Sequence, residues 1–113
     1  MRVVHGNIVL PSDALSLEAR VVLIELRDVS IMDAPSQVRA TQRLEGVPLK
    51  PHARIPFSLE VPEVEAARAL SLRVHVDVDG DGRVAPGDLL TTAAYPVPTA
   101  GDFGPLEVRV MMV

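Results

Sequence analysis

An all-β domain is what this sequence predicts, and three observations predict it. Apolar and polar residues alternate with period two in a series of short segments, which is the mark of half-buried strands. Ten prolines and clusters of turn-forming residues separate those segments. Only one stretch, residues 62–69, reads as helix, and it is two turns long at most. The expected architecture is a single-domain β-sandwich of about seven short strands spanning residues 1–113, with one short helical turn near 62–69.

The elements follow in chain order. Residues 2–9 and 20–27 read as strands, the second built on the apolar run Val21-Val22-Leu23-Ile24. In 38–44, Val38, Ala40, Gln42 and Leu44 point one way and Arg39, Thr41 and Arg43 the other. Ile55, Phe57, Leu59 and Val61 alternate with Arg54, Pro56, Ser58 and Glu60. Pro56 has no N–H to give to a ladder, so this strand belongs at a sheet edge or carries a bulge. In PEVEAARA, Pro62 at the first turn with Glu63 and Glu65 behind it suits a helix N-terminus. Leu72, Val74 and Val76 then alternate with Ser71, Arg73, His75 and Asp77. Residues 89–97 form a further strand, and Leu106, Val108, Val110 and Met112 alternate with Glu107, Arg109 and Met111 in the last.

Composition removes several function classes. The apolar residues are aliphatic, with only Phe57, Tyr95 and Phe103 aromatic, and the net charge is -4. Stacking platforms for unpaired bases need rings, and phosphate binding needs positive charge, so nucleic acid is not an expected partner. There is no cysteine, hence no disulfide, zinc finger or thiol nucleophile. No apolar run approaches the roughly 20 residues of a membrane-spanning helix, and MRVVHGNIVLP lacks the pattern of a signal peptide, so no membrane insertion is expected.

DVDGDGRVAPGD, residues 77–88, carries the clearest chemistry. A calcium loop brings oxygens around a hard cation from alternate residues, turns sharply at its sixth position and closes with a carboxylate from its twelfth. Asp77, Asp79 and Asp81 supply the first three ligands, Gly82 the turn, Arg83 its backbone carbonyl and Asp88 the closure. Val84 is expected to anchor the loop to the core, and a water to stand in at Ala85. Asp88 is shorter than the usual Glu, so the expected Ca2+ affinity is weak, roughly 10⁻⁵ to 10⁻³ M. Strands on both sides exclude a helix-opening sensor. The alternative is a plain turn in which Gly80 and Gly82 supply positive φ. Against it stands the loop's charge of -3, from four Asp and one Arg, which a cation would neutralise.

LRDVSIMDAP, residues 26–35, is a structured connection: Asp28, Ser30 and Asp33 are each placed to accept nearby backbone N–H groups, and Pro35 holds Ala34 extended. This run resembles the YbaY-like lipoprotein family, to which the YscW-type secretion chaperones, or pilotins, are similar. Leu10-Pro11 before it, and Ile55-Pro56-Phe57 and Tyr95-Pro96-Val97 after it, carry the resemblance over residues 3–113. It implies a small β-sandwich without catalysis that binds or assists another protein in the bacterial periplasm or at the outer membrane. The best understood relatives escort an outer-membrane secretin. Family members are anchored through a lipid on an N-terminal cysteine behind a signal peptide, and neither feature is present in these residues.

Enzyme readings find little to hold. His5, His52 and His75 fall in no metal-binding spacing, and His75 with Asp77, on one strand face, reads as an exposed polar edge in preference to a functional pair. Glu63 and Glu65 would stand about 200° apart on a helix, and neither a serine elbow nor a phosphate-binding glycine loop occurs. The expectation is a non-enzymatic protein-binding module with a calcium loop, recognising its partner by surface contact or strand addition. The alternative is a calcium-stabilised structural domain without a chaperone role.

Overall fold

In the computed structural model, which describes residues 1–31 and 34–113, the chain forms eight strands and no helix among the described residues. They are β1 (Arg2–Val9), β2 (Leu17–Asp28), β3 (Gln37–Leu49), β4 (Arg54–Val61), β5 (Leu70–Asp77), β6 (Leu89–Thr91), β7 (Pro96–Val97) and β8 (Phe103–Met112). Their order is β3-β2-β5-β6-β8-β1-β4, with β7 alongside β5. The sheet curls until its two halves face each other across one core and share β8, giving an all-β, nearly closed barrel. All neighbours are antiparallel except β1 and β8, which run parallel.

The alternation dictates which face closes inward. On β4, Ile55, Phe57, Leu59 and Val61 are buried and the residues between them exposed. Leu70, Leu72, Val74 and Val76 of β5 meet Val22, Ile24 and Leu26 of β2 in the same core, and Val108 and Val110 of β8 complete it. Burial of these aliphatic side chains is the main stabilising term, about 1.5–3 kcal/mol for each large one. Pro56 sits on β4, a terminal strand of the sheet, as a residue without an N–H requires.

Two local features depart from expectation. The 62–69 segment is a single tight turn, with the Arg68 N–H donating to the Glu65 carbonyl at 2.9 Å and the Val64 N–H donating away to Thr99 at 3.1 Å. So short a stretch cannot nucleate a helix by itself, and tertiary partners take its donors instead. The 89–97 strand divides into β6 and β7. Across the gap, β5 finds substitutes: Val74 N–H donates to Thr91 Oγ1 at 3.3 Å and Leu72 N–H to the Tyr95 carbonyl at 3.0 Å.

The parallel pair is unusually close at Gly6. A Cβ there would lie 1.9 Å from the Leu106 carbonyl oxygen, beside the register shift that separates Val4 from Gly6 along the β1–β8 ladder. Only glycine permits that approach. At the opposite side the barrel stays open. β3 and β4 are both terminal strands, and the amide oxygen Gln42 Oε1 accepts the Ser58 N–H at 3.2 Å, a side-chain link where a ladder bond would otherwise run.

Candidate functional site

His75 and Asp77 alternate with Val74 and Val76 on β5, so their side chains leave the sheet on the face away from the core. His75 stands in register between Leu23 of β2 and Leu90 of β6. The 78–88 loop, which joins β5 to β6, covers this face. His75 is 4% exposed, Asp77 3% and Asp88 2%. The exposed polar edge expected at His75 and Asp77 is therefore a buried cluster, because the hairpin loop folds back over the strand that precedes it.

Each aspartate is fixed by loop backbone. Asp77 accepts the N–H groups of Gly80 and Gly82, at 3.1 and 2.8 Å. Asp79 accepts from Asp81, and Asp81 from Arg83 at 2.8 Å. Gly80 and Gly82 adopt φ of 72° and 81°, the left-handed turns that let successive amides point inward. Carboxylate oxygens of Asp77, Asp79 and Asp81 come within 4.8 Å of one another. This is the convergence expected of the first three positions of the loop.

The twelfth position behaves differently. Asp88 groups with His75 and Asp77, not with Asp79 and Asp81. Its Oδ1 accepts the Val78 N–H at 3.0 Å, and its Oδ2 accepts the Ala85 N–H at 3.1 Å and meets His75 Nε2 at 2.9 Å. Burial pushes the Asp88 carboxyl upward, but hydrogen bonds from His75, Val78 and Ala85 outweigh it and hold the group below its ordinary value. Arg83 and Val84 are both exposed. Val84, at 44%, does not anchor the loop to the core. That place belongs to Leu89, which pairs with Val76, because the turn closed by Asp88 N–H on the Ala85 carbonyl delivers the chain inward one residue later.

A second polar centre lies at the elbow after β2. Asp28 Oδ1 accepts the Ser30 N–H and hydroxyl, and Oδ2 accepts Arg68 Nε at 2.8 Å and Arg39 Nη2 at 3.3 Å. The Ser30 hydroxyl above all, then the Ser30 amide and the two guanidiniums, hold this carboxyl well below the usual range. Ser30 Oγ also accepts the Ala69 N–H at 2.8 Å, so one aspartate ties the elbow to β3 and to the 62–69 turn. Asp33, expected to act with Asp28 and Ser30, lies outside the described residues. Beside this node, Glu25 Oε1 accepts from Arg27 and Arg73 on the outer face of the sheet. Val29 and Ile31 are exposed at 46% and 62%, in keeping with a surface connection. His5 and His52 are exposed and apart from the loop cluster.

A family model described as type III secretion system lipoprotein chaperone (YscW) matches residues 1–109. No curated protein matches the chain. Among solved structures, an alternative pilotin from the type II secretion system of Vibrio cholerae is similar, with 24% sequence identity and a TM-score of 0.64 over 99% of this chain and 100% of that one. At that identity the likeness is one of fold, and function has to be argued from residues.

Proposed function

The chain belongs to the YscW family of type III secretion system lipoprotein chaperones, and on that premise we propose that it is a non-catalytic, pilotin-like module of the bacterial envelope that escorts a protein partner such as an outer-membrane secretin. The family match across residues 1–109 carries this reading. The fold shared with a pilotin supports it.

Recognition uses the open side of the barrel. β3 is a terminal strand of 13 residues whose side chains are exposed or half-buried except Leu49. A terminal strand presents unpaired backbone groups, to which an extended segment of another protein adds as a further strand. Gln42 caps the facing amide of Ser58 and gives way to that segment.

The loop binds calcium weakly and braces the β5–β6 hairpin. Asp77, Asp79 and Asp81 form the ligand cluster, the Arg83 carbonyl a further ligand, and Asp88 the closing one. Since Asp88 is engaged by His75, Val78 and Ala85, closure competes with those bonds, and affinity falls at the weak end, about 10⁻³ M. The convergence of three carboxylates also favours a second reading, a structural domain stabilised by calcium without an escort role.

Overlapping peptides that tile a secretin, titrated against the 15N-labelled chain, test the proposal. One segment is expected to bind saturably, with amide shifts concentrated on Gln37–Leu49 and Arg54–Val61, in calcium and in chelator alike. Absence of binding by every segment refutes the escort reading. Binding that vanishes with chelator replaces it by the structural one.

A further inference from the structure

From the burial and spacing of three side chains beneath the loop, we infer that His75, Asp77 and Asp88 form a site for a first-row divalent ion of the zinc and cobalt class, which shares Asp77 with the oxygen-only cluster of Asp77, Asp79 and Asp81. His75 and Asp77 lie on the outer face of β5 and Asp88 ends the loop just before β6, and all are at least 96% buried. One nitrogen and two carboxylate oxygens fall within 4.8 Å of one another.

Charge balance points to a cation. Two buried carboxyl groups face one imidazole, so acidic side chains outnumber basic ones in the cluster. Among the described residues no lysine or arginine pairs with Asp77 or Asp88; every other ion pair lies elsewhere. Backbone N–H groups satisfy part of the carboxylate acceptor capacity, and a bound cation would complete the compensation of the two acidic groups.

Geometry points to the kind of ion. Two ligands each about 2.1 Å from a tetrahedral metal stand about 3.4 Å apart. His75 Nε2 and Asp88 Oδ2 stand 2.9 Å apart, joined by a hydrogen bond, so an ion enters by replacing the hydrogen between them, which leaves for Nδ1 or for water, and by spreading the pair by about half an ångström. Asp77 oxygens each accept one N–H and keep a lone pair for the third bond. An imidazole nitrogen with two carboxylates suits zinc or cobalt, whereas calcium prefers six to eight oxygens. The remaining coordination positions go to water. The loop above the cluster is exposed at Asp79 and from Asp81 to Val84, the side from which an ion would enter.

Tag-free, chelator-stripped protein titrated with ZnCl2, CoCl2 and CaCl2 tests this by calorimetry and thermal melting. Zinc is expected to bind one per chain and raise the melting temperature by several degrees, the response of a native-state ligand in excess over its Kd. His75→Gln, which keeps a hydrogen-bond donor toward Asp88, should abolish the zinc response, while Asp79→Ala with Asp81→Ala should leave it intact. A zinc response that survives His75→Gln, or one lost in the double variant, overturns the assignment, as does failure of zinc and cobalt to bind. Should His75→Gln not fold, ring-nitrogen spectra of the wild-type protein decide: zinc must move the His75 resonances and leave those of His5 and His52 in place, and the reverse refutes the site. The inference does not rest on the escort role, and because Asp77 and Asp88 would serve either ion, zinc and calcium compete; the His75 variant and the Asp79, Asp81 double variant tell the two responses apart.

Discussion

Nε2 of His75 and Oδ2 of Asp88, from residues 13 apart in sequence, meet at 2.9 Å beneath the 78–88 loop. This bond, with those from Val78 and Ala85, makes Asp88 the clamp of the β5–β6 hairpin. Asp88→Ala strands the Val78 and Ala85 N–H groups and the imidazole, and each buried orphan is worth about 1–3 kcal/mol. The expected loss is about 3 kcal/mol in urea unfolding, with Asp88→Asn losing less because it retains an acceptor. Equal stability of Asp88→Ala and wild type would show that the loop is not clamped there.

Calcium sets a separate expectation. Millimolar CaCl2 should raise the melting temperature of the wild-type chain and chelator should lower it, since an ion bound only by the native state stabilises it. Asp79→Ala with Asp81→Ala should remove the response. An unchanged melting temperature at millimolar calcium would reduce the acidic cluster to a turn.

Asp28 predicts acid sensitivity. Its carboxyl is held below the ordinary value by Ser30, Arg39 and Arg68, so it binds a proton more readily in the unfolded chain than in the folded one. The stabilisation is complete above the unfolded value of about 3.9 and is lost as pH falls below it toward the folded value. Urea midpoints measured from pH 5 to pH 2 should therefore decline, and Asp28→Asn should flatten the decline while lowering the plateau. A parallel decline in wild type and variant would exclude Asp28 as a source.

At Gly6 the expectation is steric. Gly6→Ala places a methyl against the backbone of Leu106, 1.9 Å from its carbonyl oxygen, and neither strand can withdraw without breaking the β1–β8 ladder. Overpacking of this kind destabilises by about 3 kcal/mol. Denaturant unfolding checks it, and a variant as stable as wild type would contradict the close approach.

Gln42→Ala should expose the seam. The Ser58 amide loses its acceptor, so its hydrogen exchange should accelerate, with a stability change of about 1 kcal/mol or less at this exposed position. Unchanged exchange at Ser58 would mean that the amide is protected by something other than Gln42.

Much of this was legible in the residues. Alternation at 54–61 located β4 and its inward set, and Pro56 pointed to a sheet edge or a bulge, of which the structure has the edge. The aspartates at 77, 79 and 81 converge as their spacing implied, because the loop's own amides organise them. Asp88 did not follow the pattern, since its partner is set by the β5–β6 register, a long-range pairing that brings His75 beneath the turn. His75 and Asp77 were misread for the same reason: strand alternation tells which face a side chain takes, but not whether a loop covers that face. Asp28 was recognised as a local turn-maker, while its links to Arg39 and Arg68 required β3 and the 62–69 turn to be in place. Arg2 gave no signal at all, a charge near the start of the chain that folds to 3% exposure and donates to the Gly101 carbonyl.

The parallel run of β1 beside β8 has a practical corollary for handling the molecule. Because both strands head the same way, Met1 emerges at one pole and Val113 at the other. Val113 donates its N–H to the Asp88 carbonyl. A polyhistidine purification handle fused behind Val113 would dangle its imidazoles over the aspartates and scavenge whatever metal is offered, whereas the same handle ahead of Met1 would hang from the far pole.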